Sequence, residues 1–323
     1  MSQNSTWDNF KFYFKKFRTG VFFTVLFFVV FLFVLFPYDD LSDLVTEQVA
    51  KATQNQVYLQ FDKLGIAALP PSIAMENVSL DSPFAPTLKI GELFLAPSVA
   101  GFLAFKPGFT ARVKSILGGD VNFTMKTGKK INDQANFSSL DLELDQVDLK
   151  NVSQFANLPL QLEGKLGGDI QGDVDPQFIE QPDVTADIVV GKFNIPAGTV
   201  AIPNLGPISI PRIGMKSVTL KGHLVGGEFL IEDGQFGAQG DLITGKVKGK
   251  VAVQFRQEGN QVRPIFGQYS LKLDLSLDKG MDKSLGGFYG FLDKYKTVTG
   301  NGVRYALTLS AGDFNAAPSF SSL

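Results

Sequence analysis

From residue 56 onward, apolar and polar positions alternate with a period of two, the spacing of a strand that buries one face. In SLDLELDQVDLKNV, Leu140, Leu142 and Leu144, then Val147 and Leu149, fall on one side, with Asp141, Glu143 and Asp145 on the other. Leu158, Leu160 and Leu162 carry the pattern on through LPLQLEGKLGGDIQGDV, and it returns at Val247, Val251, Val253 and Phe255. Leu271, Leu273, Leu275 and Leu277 repeat it, as do Val303, Tyr305, Leu307 and Leu309. Alternation this strict predicts antiparallel strands with one apolar and one wet face, because strands buried on both faces read as continuous apolar runs. The expected lining of the apolar face is Leu140, Leu142, Leu144, Leu158, Leu160, Leu162, Val251, Val253, Phe255, Leu271, Leu273, Leu275, Leu277, Tyr305 and Leu307.

Few segments read as helix. Leu41, Leu44, Val45 and Val49 recur at helical spacing, which predicts a short amphipathic helix within 37–55. In KSLGGFYGFLDKYK the positions of Leu285, Phe288, Phe291, Leu292 and Tyr295 suit a helix that Gly286 and Gly287 weaken. PSVAGFLAFKPG is a further helical candidate, and DPQFIEQPD reads as one turn with Asp175 as cap and Pro176 in first position. Helices this short cannot cover a broad sheet, so the strands are expected to curl around whatever fills their apolar side.

One stretch breaks the pattern. Gly20 to Phe36 reads GVFFTVLFFVVFLFVLF without a charge and spans roughly 26 Å as a helix, close to the thickness of a hydrocarbon core. Lys11, Lys15, Lys16 and Arg18 precede it, and Asp39, Asp40 and Asp43 follow, which predicts a cytoplasmic N-terminus and an exported remainder. An uncleaved anchor is preferred to a cleavable signal because Phe36-Pro37-Tyr38-Asp39 offers no small-residue cleavage site. The expected organisation is a cytoplasmic basic and aromatic arm over 1–19, a transmembrane helix over 20–36, an amphipathic linker helix over 37–55 and a periplasmic β-rich domain over 56–323.

Composition narrows the chemistry. The net charge of −2 leaves no basic surplus to neutralise phosphates, so nucleic acid is not an expected partner. No cysteine is present, which removes thiol catalysis and cysteine metal sites, and a chain of 323 residues can fold without disulfides. The single histidine, His223, cannot build an imidazole-rich metal site. Asp173 and Asp175, and Glu232 with Asp233, sit where carboxylates commonly brace turns. GGEFLIEDGQFGAQGD matches a glycine-aspartate calcium repeat for only one pass. No phosphate loop, dinucleotide fingerprint or GxSxG elbow occurs, so neither catalysis nor a cofactor is expected.

The glycine spacing in EGKLGGDIQGDV, GEFLIEDGQFGAQGDLITGKVKGKV and, more loosely, ILGGDVNFTMK follows the anchor and the segments VYLQFDKLGI, PPSIAMENVSLDSP and LKIGELFLAPSVAGFL. In that order the chain resembles the AsmA-like envelope proteins. It is most similar to the bacterial type II secretion system protein N (GspN) family, from Gln56 to about Leu309. The resemblance implies a mainly β protein: a single N-terminal transmembrane helix and then a curved, groove-like antiparallel sheet, anchored in the inner membrane with its bulk in the periplasm. It implies a non-enzymatic accessory role in type II protein secretion or, alternatively, a lipid-binding, phospholipid-transferring groove. The implied partners are membrane lipid, type II secretion inner-membrane proteins and bound phospholipid. A β-sandwich that binds a peptide or sugar is the plainer alternative.

Overall fold

The computed structural model of the chain describes residues 20, 22–24, 27–28, 31, 38–53, 55–68, 71–82, 85–98, 106–130, 136–158, 160–176, 178–202, 206–258, 261–282, 290–300, 302–314 and 316–323. Strand dominates. The elements, in chain order, are α1 (Tyr38–Ala52), β1 (Tyr58–Gln60), β2 (Lys63–Ala68), β3 (Pro71–Ser82), β4 (Ala85–Pro97), β5 (Gly108–Ile116), β6 (Gly119–Lys130), β7 (Asn136–Asp148) and α2 (Leu149–Phe155). Then come β8 (Glu163–Val174), β9 (Asp183–Ile195), β10 (Gly198–Ile202), β11 (Gly206–Ile210), β12 (Ile213–Val225), β13 (Glu228–Phe236), β14 (Ile243–Glu258) and β15 (Gln261–Asp278). A 3₁₀ turn (Gly290–Tyr295), β16 (Lys296–Thr299), β17 (Gly302–Ala311) and β18 (Ser319–Ser322) complete the set.

Every pairing is antiparallel, as the alternation predicts. One 16-stranded sheet runs β1-β3-β4-β5-β6-β7-β8-β9-β12-β13-β14-β15-β17-β16, with β2 added on β3 and β18 on β17; β10 and β11 form a separate hairpin. Consecutive strands are neighbours almost throughout, so hairpin connections suffice.

Two sequence expectations are corrected here. The sheet is open: its terminal strands do not pair with each other, and it is neither a barrel nor curled into a groove. The apolar surface that would have driven closure is covered locally at each end by short helical segments. The transmembrane expectation also fails, since among the described residues no helix is long and apolar enough to cross a membrane. Residues 20, 22–24, 27–28 and 31 of the apolar stretch are helical, and the rest of the expected span over 20–36 lies outside the described residues, the only ones set against a membrane's thickness. The helix that follows, α1, is roughly 22 Å long and carries Asp43, Glu47 and Lys51, too short and too polar for a span. The inner-membrane, single-pass placement and the periplasmic location inferred from it lose their basis. The arm 1–19 and most of the candidate helix around 99–105 fall outside the described residues.

At the N-terminal end, Val45 and Val49 of α1 pack against the buried cluster Leu59, Met75, Val78 and Ile90. At the far end Leu277, Met281, Leu292, Val303, Tyr305 and Leu307 form a second buried cluster. Met281 comes from helical residues 279–282 and Leu292 from the 3₁₀ turn, so the predicted helix over KSLGGFYGFLDKYK is realised here only as that turn, and residues 283–289 lie outside the described ones.

Candidate interaction face

Cross-strand register shows which side chains share a face. Leu142 lies opposite Phe123 on one side and Ile170 on the other; Ile170 lies opposite Ala186, and Ala186 opposite Gly222. Farther along, Val247 is opposite Leu273 and Leu273 opposite Leu307. One apolar face therefore runs unbroken across the sheet. It includes the predicted Leu140, Leu142, Leu144, Val251, Val253, Phe255, Leu271, Leu273, Leu275, Leu277, Tyr305 and Leu307.

Leu158, Leu160 and Leu162 are not part of it. They lie in the connection between α2 and β8, which begins only at Glu163, and Leu158 is 43% exposed. The local reason is a helix that interrupts the alternation. Asp148 adopts an extended backbone and accepts the Lys150 N–H at 2.9 Å, which caps α2 and turns the chain out of β7. Ser153 ties the return: its hydroxyl donates to the Leu149 carbonyl and accepts the Leu162 N–H.

Two local devices keep the face in phase. Gln146 has φ of 54°, and the β7–β8 register shifts between Leu144 and Val147. This bulge brings Val147 back to the apolar side after Leu144, a slip visible in the sequence as the extra residue between them. Glycine provides the second device. Gly168 occupies an apolar-face position of β8 at φ of +146°, and a Cβ there would lie 2.2 Å from the Asp187 carbonyl oxygen. No other residue tolerates that backbone and that approach.

The residues that alternation alone did not single out lie on β8, β9 and β12: Leu166, Ile170, Ile188, Val190, Leu220 and Leu224. Their signal was diluted because Gly168, Gly172 and Gly222 stand where apolar side chains would complete the pattern. At Gly222 the gap is filled from the next strand, the Phe229 ring lying where a Cβ would project.

Among the described residues, the only helix in the middle of the sheet, from β5 to β14, is the short α2, which packs against β7 and β8. At one margin this face is bounded by the β8–β9 connection. The Gln181 amide donates to the Phe255 carbonyl at 2.9 Å and accepts the Phe255 N–H at 2.8 Å, so a side chain substitutes for a strand partner of β14. Phe178 packs on Phe255 with ring centroids 5.7 Å apart. Asp175, 1% exposed, accepts the N–H groups of Ile179 and Glu180, so the expected helical turn is instead a carboxylate-braced loop.

Polar chemistry is sparse. His223 sits on the wet face with Nε2 2.6 Å from Asp183 Oδ1, a surface hydrogen bond. Among the described residues no group of three or more His, Asp or Glu is placed to hold a metal ion. A second polar lock is at the C-terminal end, where Tyr305 donates to Asp282 at 3.0 Å and Lys296 donates to the other oxygen at 2.7 Å. Burial, and then the bond to Asp282, push the Tyr305 phenol up to about 12. The Lys296 hydrogen bond holds Asp282 below the ordinary carboxylate range.

No family model matches the chain, no curated protein is significantly similar to it, and no solved structure matches it. The resemblance to the secretion and AsmA-like proteins stands on the quoted residues alone. The export-machine role and its lipid-groove alternative both require a membrane anchor and a curled sheet. The described residues show neither, and both readings are set aside.

Proposed function

We propose that this chain is a non-enzymatic interaction scaffold whose uncovered apolar face binds the apolar layer of a partner protein. The observation that carries this reading is the apolar register from β5 to β14, which among the described residues has no helix packed on it other than the seven-residue α2 against β7 and β8. A sheet with one apolar face is stable when a second layer packs about 10 Å above it. Eight strands at about 4.8 Å spacing make the open region roughly 38 Å wide, and with strands roughly 25 Å long its area is about 950 Å². That matches the roughly 800 Å² per partner of a specific protein interface, and it is far broader than one slender ligand needs. The partner's complementary surface is a sheet or helix pair rich in Leu, Val and Phe.

A photo-crosslinking residue placed at Leu142, Ile188 or Leu220 tests this in cells expressing the chain. The expected result is one partner protein captured from all three positions, not captured from Glu143 on the opposite face, and lost when Ile170→Asp is added to a chain that still folds. Equal capture from both faces, or none from the apolar positions, would contradict the reading.

A further inference from the structure

The wet face carries charge in an ordered way that the apolar-face reading does not use. One row of directly opposed residues crosses the sheet from β7 to β12 as Glu143, Asp169, Asp187 and Lys221, and Lys221 is in turn opposite Asp233 of β13. On β14 the row continues with Lys248, set between Gly249 opposite Ile231 and Val247 opposite Gly234, and Lys248 is opposite Lys272 of β15. Read outward from the β12–β13 pair, the signs are base, acid, acid on one side and acid, base, base on the other. From β8 to β15 the row is antisymmetric about that pair; beyond it, Glu143 on β7 has the uncharged Thr308 on β17 as its counterpart.

This arrangement places like charges directly across from each other: Glu143 beside Asp169, Asp169 beside Asp187, and Lys248 beside Lys272. Such neighbours destabilise an isolated sheet. Within one molecule Lys221 pairs with Asp187 at 2.7 Å, but the outer members Asp169 and Lys272 do not relieve each other. From β8 to β14 is four strand spacings, about 19 Å, more than twice the screening length at physiological salt.

We infer that a second copy of this chain docks on the wet face about a two-fold axis lying along the β12–β13 pair. Turning the sheet over on that axis sets β8 of one copy above β15 of the other and β9 above β14. Asp169 then faces Lys272 of the second copy, Asp187 faces Lys248, and Lys221 faces Asp233. Each contact occurs twice, as a self-complementary two-fold interface requires. Near the axis this otherwise polar face exposes Val189, Val225 and Leu230 at 42%, 46% and 46%, an apolar centre inside a charged rim. Shallow depressions of about 540 Å³ beside Asp169 and about 600 Å³ beside Lys246 and Arg304 give long side chains of the facing copy room to enter.

Sedimentation velocity of the full chain at 50 mM and 500 mM salt, with charge-reversed variants, tests this arrangement. The expected result is a two-copy species at low salt that weakens about tenfold or more at high salt. Asp169→Lys alone and Lys272→Glu alone each weaken it by about tenfold, since each sets like charges face to face twice. The same-chain double variant Asp169→Lys/Lys272→Glu restores it. A monomer at low salt, a two-copy species indifferent to salt, or a double variant no better than the singles would overturn the proposal. Far-UV circular dichroism of each variant separates misfolding from lost association. The opposite, apolar face is untouched by these changes.

Discussion

The two ends of the sheet and its middle are built from the same alternating pattern, yet they bury their side chains to different degrees. At the C-terminal end Leu307 is 2% exposed and Tyr305 3%, under Met281 and Leu292; at the N-terminal end Val78 is 1% exposed near Val45 and Val49 of α1. In the middle, Leu142, Ile170 and Ile188 share the same face but remain half-buried, while Val190, Leu224 and Val247 near them are buried at 9%, 7% and 5%. Alternation decides which side a residue faces. Burial requires a second layer, and among the described residues the chain supplies a continuous one at the ends and only a patchy one, from α2 and the β8–β9 connection, in the middle.

The sharpest way to press this comparison is one truncation made in both regions. Leu307→Ala removes a fully packed side chain and leaves a cavity, so urea unfolding should show a loss of about 2–4 kcal/mol. Leu142→Ala removes atoms already half in water, and the expected loss is at most about 1 kcal/mol. Equal losses would mean that the middle is covered as well as the ends.

A smaller effect separates the ends by chemistry. Tyr305→Phe breaks the lock on Asp282 and should cost about 1 kcal/mol at neutral pH. The sign of its pH dependence follows from the shift. The folded phenol titrates at about 12 against an ordinary 10.0, so its contribution is complete below about pH 10 and is lost as pH rises toward 12. The phenylalanine variant should lack that alkaline loss. Asp282 acts oppositely: its folded value lies below the ordinary 3.8, so its contribution is present above that pH and fades as pH falls below it. The unaltered chain and the phenylalanine variant should both retain the acid limb, which unfolding curves at stepped pH would show. The smallest effect belongs to the wet face, where His223→Gln should change stability by about 0.5 kcal/mol or less, because its pairing with Asp183 is exposed.

Much of the strand order was legible in the sequence. The period-two runs from Leu140 to Leu144, Leu271 to Leu277 and Val303 to Leu309 lie on β7, β15 and β17, and even the phase slip at Gln146 could be read as an extra residue. Legibility failed where local geometry overrode periodicity. Leu158, Leu160 and Leu162 alternate perfectly but follow a capped helix, and what Asp148 does to the backbone outweighs the pattern after it. Along β8 and β12, glycines stand in apolar positions because the facing backbone comes too close for a Cβ, so half of the face looked empty. The open sheet was misjudged for a different reason. The run from Gly20 to Phe36 points toward a membrane and a curled sheet, whereas the short helical segments at 38–52, 279–282 and 290–295 look too small to matter, although each covers the end beside it. The charged row was not legible at all, since it joins residues far apart in the chain and appears only once the strands are in register.

Thiol labelling tests the contrast between covered ends and open middle most directly, because the chain has no cysteine of its own. Leu142→Cys and Leu307→Cys, each the single thiol in an otherwise unchanged chain, are exposed to a small maleimide under native conditions. The middle position should react at least about a hundredfold faster than the covered one, in line with a side chain reached without unfolding against one that must await it. Equal, slow labelling of both would show that a layer already lies over the middle of the sheet and would contradict the account.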